Sequence, residues 1–238
     1  MSSHRLLRIL AMVSANGGEP VPARLCQVAA EVTAATCGGI MLVDGALPRA
    51  SLCSTDPLAA YIEGLQHTLG EGPGIDAHAL GGPVAEPDLA EPAVARWPAF
   101  AAPAVAAGVR AVFGFPVRIG AVRLGALDLY RDRPGPLTAD QHADALVLAD
   151  VAARAVLSLQ VDVAPGTLAP ELDVGADWQL VVHQAAGMVS VQLAVTVAEA
   201  LVRLRAQAFA RNRLVAEVAQ DVVDRRLRFD QADGPDDP

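Results

Sequence analysis

The 238-residue chain contains no lysine; all 18 of its basic residues are arginine. Chemistry that depends on a side-chain amine is therefore closed to this chain on its own. It can form no Schiff base with pyridoxal phosphate. It has no GKS/T phosphate loop, no protein-kinase phosphate-clamping lysine, and no lysine of the kind that a phospho-accepting receiver domain needs. Cysteine is scarce as well: Cys26, Cys37 and Cys53 are odd in number, widely spaced, and form no CxxC. A structural zinc site needs four ligands at short paired spacings, and the five histidines (His4, His67, His78, His142, His183) are scattered. No metal site is expected, and the cysteines read as small buried apolar residues in or near strands. GxSxG, HExxH and a GxGxxG following a strand are all missing, and no pattern specifies a general acid/base pair, so an enzyme is not expected.

Long hydrophobic runs are also lacking. No stretch approaches the roughly 20 apolar residues needed to cross a bilayer. The segment MSSHRLLRILAMVSANGGEP has too short an apolar core for a signal peptide and no A-x-A site after it. It reads as a short amphipathic helix with Leu6, Leu7, Leu10 and Val13 on one side. A soluble cytoplasmic protein with no membrane partner is expected.

What is present is 53% hydrophobic residues, rich in alanine and valine, with 19% charged residues and a net charge of -9. That balance supports a sizeable buried core. The charge is uneven. Residues 1–160 hold 11 arginines against 15 acids, whereas residues 183–229 hold 7 against 4. A basic module on an acidic protein points to an anionic partner. Composition gives the boundaries: a first domain over 1–160, a Pro/Gly-containing linker over 161–176, a helical module over 177–229, and an acidic tail over 230–238.

In the first domain, helical spacing predicts helices over Pro22–Ala35, Pro57–Leu65, Ala99–Ala107 and Leu137–Gln160, the last capped by Thr138. Short apolar runs predict strands at Gly39–Val43, Ala50–Ser54, Val109–Ile119 and Val122–Tyr130. Turns are expected at Asp44-Gly45 and Gly120. Leu69–Gly74 reads as a glycine loop. The order implies an α+β domain, an antiparallel sheet with helices on one side. The stretches LGEGPGIDA (Leu69–Ala77), RWPAF (Arg96–Phe100) and GVRAVFGFPVRIGAVRLGALDLYR (Gly108–Arg131) resemble a GAF domain of the actinobacterial type over about residues 20–160. That resemblance implies an antiparallel sensor fold of about six strands, often dimeric, with diverse small-molecule ligands. No bilin or cyclic-nucleotide signature is matched, so the ligand and any cofactor stay unassigned. Glu71, Asp76, His78 and Trp97 lie in segments that face either a ligand cavity or ordinary packing.

The module over 177–229 reads as three helices. The first, Asp177–Leu193, carries an apolar stripe of Trp178, Val181, Val182, Ala185, Met188, Val189 and Leu193. The second starts at Thr196, where Thr196 and Glu199 form a capping box, and buries Ala200, Leu201, Leu204 and Ala208. The third runs from about Arg213 to Leu227, with Asn212 as its cap. Arginine presents a planar fork suited to phosphates and unpaired bases. HQAAGMVSVQL (His183–Leu193), AEALVRLR (Ala198–Arg205) and ARNRLVAEVAQDVV (Ala210–Val223) are similar to the ANTAR domain in order and spacing. The resemblance implies a dimeric module that binds RNA hairpins in nascent transcripts and acts in transcription antitermination. The residues taken to face RNA are Gln184, Arg203, Arg205, Arg211, Asn212 and Arg213. Two positions depart from the pattern: Ala186 stands where a lysine is common, and Ala194 where a glycine is common.

The expectation is a homodimeric, two-domain, signal-responsive antitermination regulator. Its alternatives are a helix-turn-helix-type DNA binder and a protein-interaction sensor without nucleic-acid binding. A seam of Leu146, Ala149, Ala153 and Val156 on the long helix serves either the dimer or its own sheet.

Overall fold

The computed structural model describes residues 3–15, 21–44, 47–91, 96–161, 169, 177–211 and 213–229. Gly45, most of the 161–176 linker, Asn212, the Trp178 side chain and the 230–238 tail lie outside the described residues. The chain divides into two compact units, residues 1–66 with 70–174, and residues 67–69 with 175–238.

The first unit contains α1 (Ser3–Ser14), α2 (Val21–Thr33), β1 (Cys37–Asp44), β2 (Leu47–Ser54), most of α3 (Pro57–Leu69), α4 (Pro73–Leu80), β3 (Val84–Glu86), α5 (Pro98–Ala106), β4 (Ala111–Ile119), β5 (Val122–Arg131) and α6 (Ala139–Gln160). The strands form one sheet in the order β2-β1-β5-β4-β3, and every adjacent pair is antiparallel. The α+β expectation is met by this five-stranded sheet. Its short edge strand β3, and the helix α4, escape the sequence reading because each is too brief to show a period.

Register decides what each face carries, because paired residues share a face and neighbours along a strand alternate. Ile40 pairs with Leu127, which pairs with Phe115. Their face packs Leu25, Val28 and Ala29 of α2 and Ala145, Leu148, Ala149 and Ala152 of α6 into one apolar core. Gly39 pairs with Asp128, which pairs with Gly114. That opposite face is covered by α3 and α4, since Gln66 bonds Asp128 and Tyr130 and the Pro73 carbonyl lies against Gly114. The expected one-sided arrangement is thus corrected. Ala111–Val117 and Gly125–Arg131 are buried throughout, as strands covered on both faces must be.

Three further readings change. The buried residue of α1 is Ile9, while Leu7 and Leu10 are exposed; the inward stripe is rotated from the one expected. Cys26 and Cys53 are not separate thiols but are joined in a disulfide that ties α2 to β2, leaving Cys37 buried and free. Ala149, Ala153 and Val156 of α6 pack into the unit's own core, and Leu146 stays exposed. Thr138 caps α6 through a full capping box with Gln141.

The second unit contains α7 (Asp177–Leu193), α8 (Val197–Ala210) and α9 (Val215–Val223). Val182, Ala185 and Val189 of α7 are buried, as are Ala200, Leu204 and Ala208 of α8 and Val218, Ala219 and Val222 of α9. The Thr196–Glu199 capping box forms as expected and starts α8. The third helix is shorter than expected. It begins after Leu214 rather than Asn212, because the Glu217 carboxylate accepts from the Leu214 amide. It ends where Arg225 turns left-handed at φ 60° and the amides of Arg226 and Leu227 fold back onto the Asp221 carbonyl. Among the described residues no single helix is long and apolar enough to cross a membrane.

Candidate functional site

Two places in the molecule concentrate chemistry, one in each unit. The first is the polar layer between the sheet and α3/α4. Residue spacing on α3 places Glu63 and Gln66 one turn apart on a single face. The Glu63 Oε2 atom accepts hydrogen bonds from the Ser51 hydroxyl at 2.7 Å and the Ser54 hydroxyl at 2.8 Å. The Gln66 amide nitrogen donates to Asp128 Oδ2 at 3.2 Å and to the Tyr130 hydroxyl at 2.9 Å, and its oxygen accepts from the Gly74 amide at 2.9 Å. Gln66, Asp128 and Tyr130 are fully buried, and Glu63 is 5% exposed.

Glycine makes room for these groups. The Leu69–Gly74 stretch, expected as a loop, is the junction of two helices. Gly70 closes α3 in the left-handed conformation at φ 68°, and Gly72 at φ 140° opens α4. Gly74 then lies directly on the Asp128 carboxylate, and Gly39 lies under that of Glu63.

Electrostatics in this layer is one-sided. Burial raises Glu63 to about 7, against the opposing effect of its two serine bonds. Burial also raises Asp128 well above the usual carboxylate range, and the Glu63 charge pushes it further. The Tyr130 phenol is raised by burial and then by Asp128 and Glu63. The Cys37 thiol is pushed up to about 12, first by burial and then by nearby carboxylates, so it is held as an unreactive thiol. Glu71, Asp76 and Trp97 are joined by hydrogen bonds to their own neighbours. Glu71 accepts from the Ala99 amide, and Asp76 accepts from Arg96 and from the Trp97 indole.

The second place is the arginine-bearing surface of α7–α9, the expected RNA face. Gln184, Arg203 and Arg211 are exposed. Arg211 caps α8. With its amide oxygen turned toward Arg211, Gln207 accepts from Nε at 2.9 Å and Nη2 at 2.8 Å, which orients the guanidinium without neutralising it. Arg205 is half-buried, and desolvation lowers its pKa. Arg213 is engaged: it pairs with Asp221 at 2.6 Å and Glu217 at 3.4 Å. Arg226 pairs with the same Asp221 and with Asp224, so the charge along the groove formed by Val181, Glu217, Gln220 and Asp221 is largely internal. Exposed Arg225 and Arg228 add cationic surface that the sequence reading left out, although the surplus of seven arginines over four acids in 183–229 was a signal for it. Ala186 is 1% exposed, so the position where the resemblance leads one to expect a lysine is an inward one here. Ala194 is left-handed at φ 55°, the conformation that glycine adopts without a Cβ penalty. Among the described residues no group of three or more His, Cys, Asp or Glu side chains is placed to hold a metal ion.

No protein-family model matches the chain, and no curated protein matches it. Among solved structures, it is similar to the GAF domain of a phosphoenolpyruvate-protein phosphotransferase from Coxiella burnetii, at 15% identity and TM-score 0.49, over 67% of this chain and 97% of that one. It is also similar to the GAF domain of the Acinetobacter phosphoenolpyruvate-protein phosphotransferase, at 12% identity and TM-score 0.49, over 69% and 99%. A type II free methionine-R-sulfoxide reductase from Thermoplasma acidophilum is similar at 18% identity and TM-score 0.43, over 57% and 89%.

Proposed function

We propose that the chain is a signal-responsive regulator of transcription antitermination. A GAF-like sensor occupies residues 1–160, and an ANTAR-like module over 177–229 binds hairpin RNA in nascent transcripts. The sensor changes the activity of the module by binding its signal more tightly in one global state than in the other.

The observation that carries the reading is how the ANTAR-like motif is distributed over its three helices. The small and apolar motif positions Ala185, Ala200, Val218 and Ala219 are each 0% exposed. The polar positions Gln184, Arg203 and Arg211 are exposed. A packing motif on the inside and a polar set on the outside is what a helical RNA-binding surface requires. Arg203 and Arg211 are the strongest candidates for RNA contact, because among the described residues the carboxylates of the Arg213 network pair with Arg213 and Arg226 and not with them.

The test is a salt series of binding by the full chain to a transcript-derived pool of hairpin RNAs beside DNA of matched sequence. Selective, salt-weakened RNA binding is expected. Arg203→Ala and Arg211→Ala should each weaken it and lower the salt slope by about one. Equal binding to DNA would replace this reading with the helix-turn-helix one. Binding to neither would leave a module held closed by the sensor or a protein-interaction module, and the same series with residues 177–238 alone separates the two.

A further inference from the structure

Two carboxylates lie side by side in the interior of the first unit. Gly39 and Asp128 are direct partners across the β1–β5 ladder. The Cβ that Gly39 lacks would stand 1.8 Å from Glu63 Oε1, so the Glu63 carboxylate rests over that residue and beside Asp128. Glu63 Oε1 and Asp128 Oδ1 are both buried and accept no hydrogen bond within the protein. Their sister oxygens are supplied by Ser51, Ser54 and Gln66.

Among the described residues, the groups that face the pair are neutral. The sheet contributes Cys37 from β1, Ser51 and Ser54 from β2, Tyr130 from β5 and uncharged Gly114 from β4; α3 contributes Gln66, and α4 contributes the backbone of Pro73 and Gly74. No arginine ion pair with Glu63 or Asp128 is present among the described residues; α3 also carries the buried His67, whose pKa burial lowers to about 3, so it holds no charge in the neutral range. Two adjacent carboxylates in such a place cannot both ionise without a large penalty. Nor is there space shown for a larger cation, since the gaps left by Gly39 and Gly74 are already filled by the carboxylates themselves. The ligand that fits is the smallest one.

We propose that Glu63 and Asp128 form a buried proton-binding pair through which the first unit responds to pH. Asp128, pushed up by burial and then by the Glu63 charge, is the member of the pair that holds its proton more firmly. Glu63 exchanges a second proton with solvent water, taking it up from hydronium and releasing it as the solution becomes alkaline. With both acids protonated, each unfilled oxygen requires no counter-charge, and α3 and α4 close on the sheet. When Glu63 ionises, a desolvated charge sits beneath the Gln66 amide that bridges Asp128, Tyr130 and the Gly74 amide, and that bridge is where the helical layer loosens.

The direction follows from linkage. The Glu63 pKa is raised on folding, to about 7 from an ordinary 4.5. Its stabilising effect is therefore complete below the unfolded value and is lost as pH rises through the folded one. The inference concerns the first unit alone and does not depend on RNA binding.

The test uses the full chain in two measurements. In pH-difference infrared spectra, a protonated carboxylic acid band should be present at pH 7, and an additional one should appear on acidification and be absent in Glu63→Gln. In hydrogen exchange, protection of the Gly74 amide, corrected for intrinsic chemistry, should fall by up to about tenfold per pH unit above pH 7, and Glu63→Gln should flatten that dependence. No protonated carboxyl at pH 7 in the wild-type protein would overturn the proposal, whether or not the variant folds. So would Gly74 protection that is flat with pH, or that keeps its full pH dependence in Glu63→Gln.

Discussion

The Cβ that Gly74 lacks would stand 2.2 Å from Asp128 Oδ2: the first turn of α4 rests on a buried carboxylate because residue 74 has no side chain. The same trade recurs at Gly39 under Glu63. Packing and charge in this layer are therefore set together, with glycines in the backbone making the space that the acids occupy.

Gly74→Ala and Gly39→Ala are expected to destabilise the first unit by about 1–3 kcal/mol each, the usual cost of overpacking a filled interior. Gly82→Ala is the control, because a Cβ there meets nothing within 4 Å. Urea unfolding followed by near-ultraviolet circular dichroism checks this. Equal midpoints for all three variants would contradict the packing account.

Ala194 pays a steric cost for its left-handed conformation between α7 and α8. Ala194→Gly removes the Cβ at the helix C-terminus and is expected to stabilise the second unit by about 1 kcal/mol. Thermal unfolding of the variant should shift upward by a few degrees. A downward shift would show that the Ala194 methyl contributes more to packing than its conformation costs.

The arginines of the second unit should not be equivalent in RNA binding. Arg213 already pairs with Asp221 and Glu217, whereas Gln207 orients Arg211 without cancelling its charge. Arg211→Ala should reduce RNA affinity more than Arg213→Ala, and Asp221→Asn should partly release Arg213 and Arg226 and raise affinity. Filter binding at two salt concentrations resolves the order. A larger loss for Arg213→Ala would relocate the contact surface to the α9 side.

Reducing the Cys26–Cys53 bond, which spans a sequence separation of 27, should lower stability by roughly 3 kcal/mol through the freedom it restores to the unfolded chain. Denaturant titrations with and without a dithiol reductant measure it, with Cys26→Ser as the reference. Persisting disulfides belong mainly to oxidising surroundings, so the thiol state of this pair in cells also tests the expected cytoplasmic location.

The sequence made the long elements legible where period and cap agreed. Thr138 and Thr196 each sit three residues before a Gln or Glu, and both capping boxes form at those positions. The hairpin at Gly120 is found between β4 and β5 as read. What escaped was set by distant contacts. Helix α4 is eight residues long with almost no amphipathic asymmetry, and its place is fixed by Gly114 and Asp128 rather than by its own pattern. The inward turn of Ile9 depends on what α1 packs against. The buried acid pair could not be read from spacing, because Glu63 and Asp128 meet only through strand register. Two local signals did exist: a lone Asp in the apolar run LGALDLY, and paired glycines at 38–39 in a strand. Paired strand glycines are compatible with a close approach and a lone acid in an apolar run with a buried polar group, but neither names a partner.

The most direct test of the proposed function is single-round transcription through a terminator preceded by a hairpin selected by the full chain. The account predicts that read-through rises with protein concentration, weakens with salt, and falls in Arg203→Ala and Arg211→Ala, while a scrambled hairpin gives no response. Read-through unchanged by the protein, on a hairpin it demonstrably binds, would contradict it.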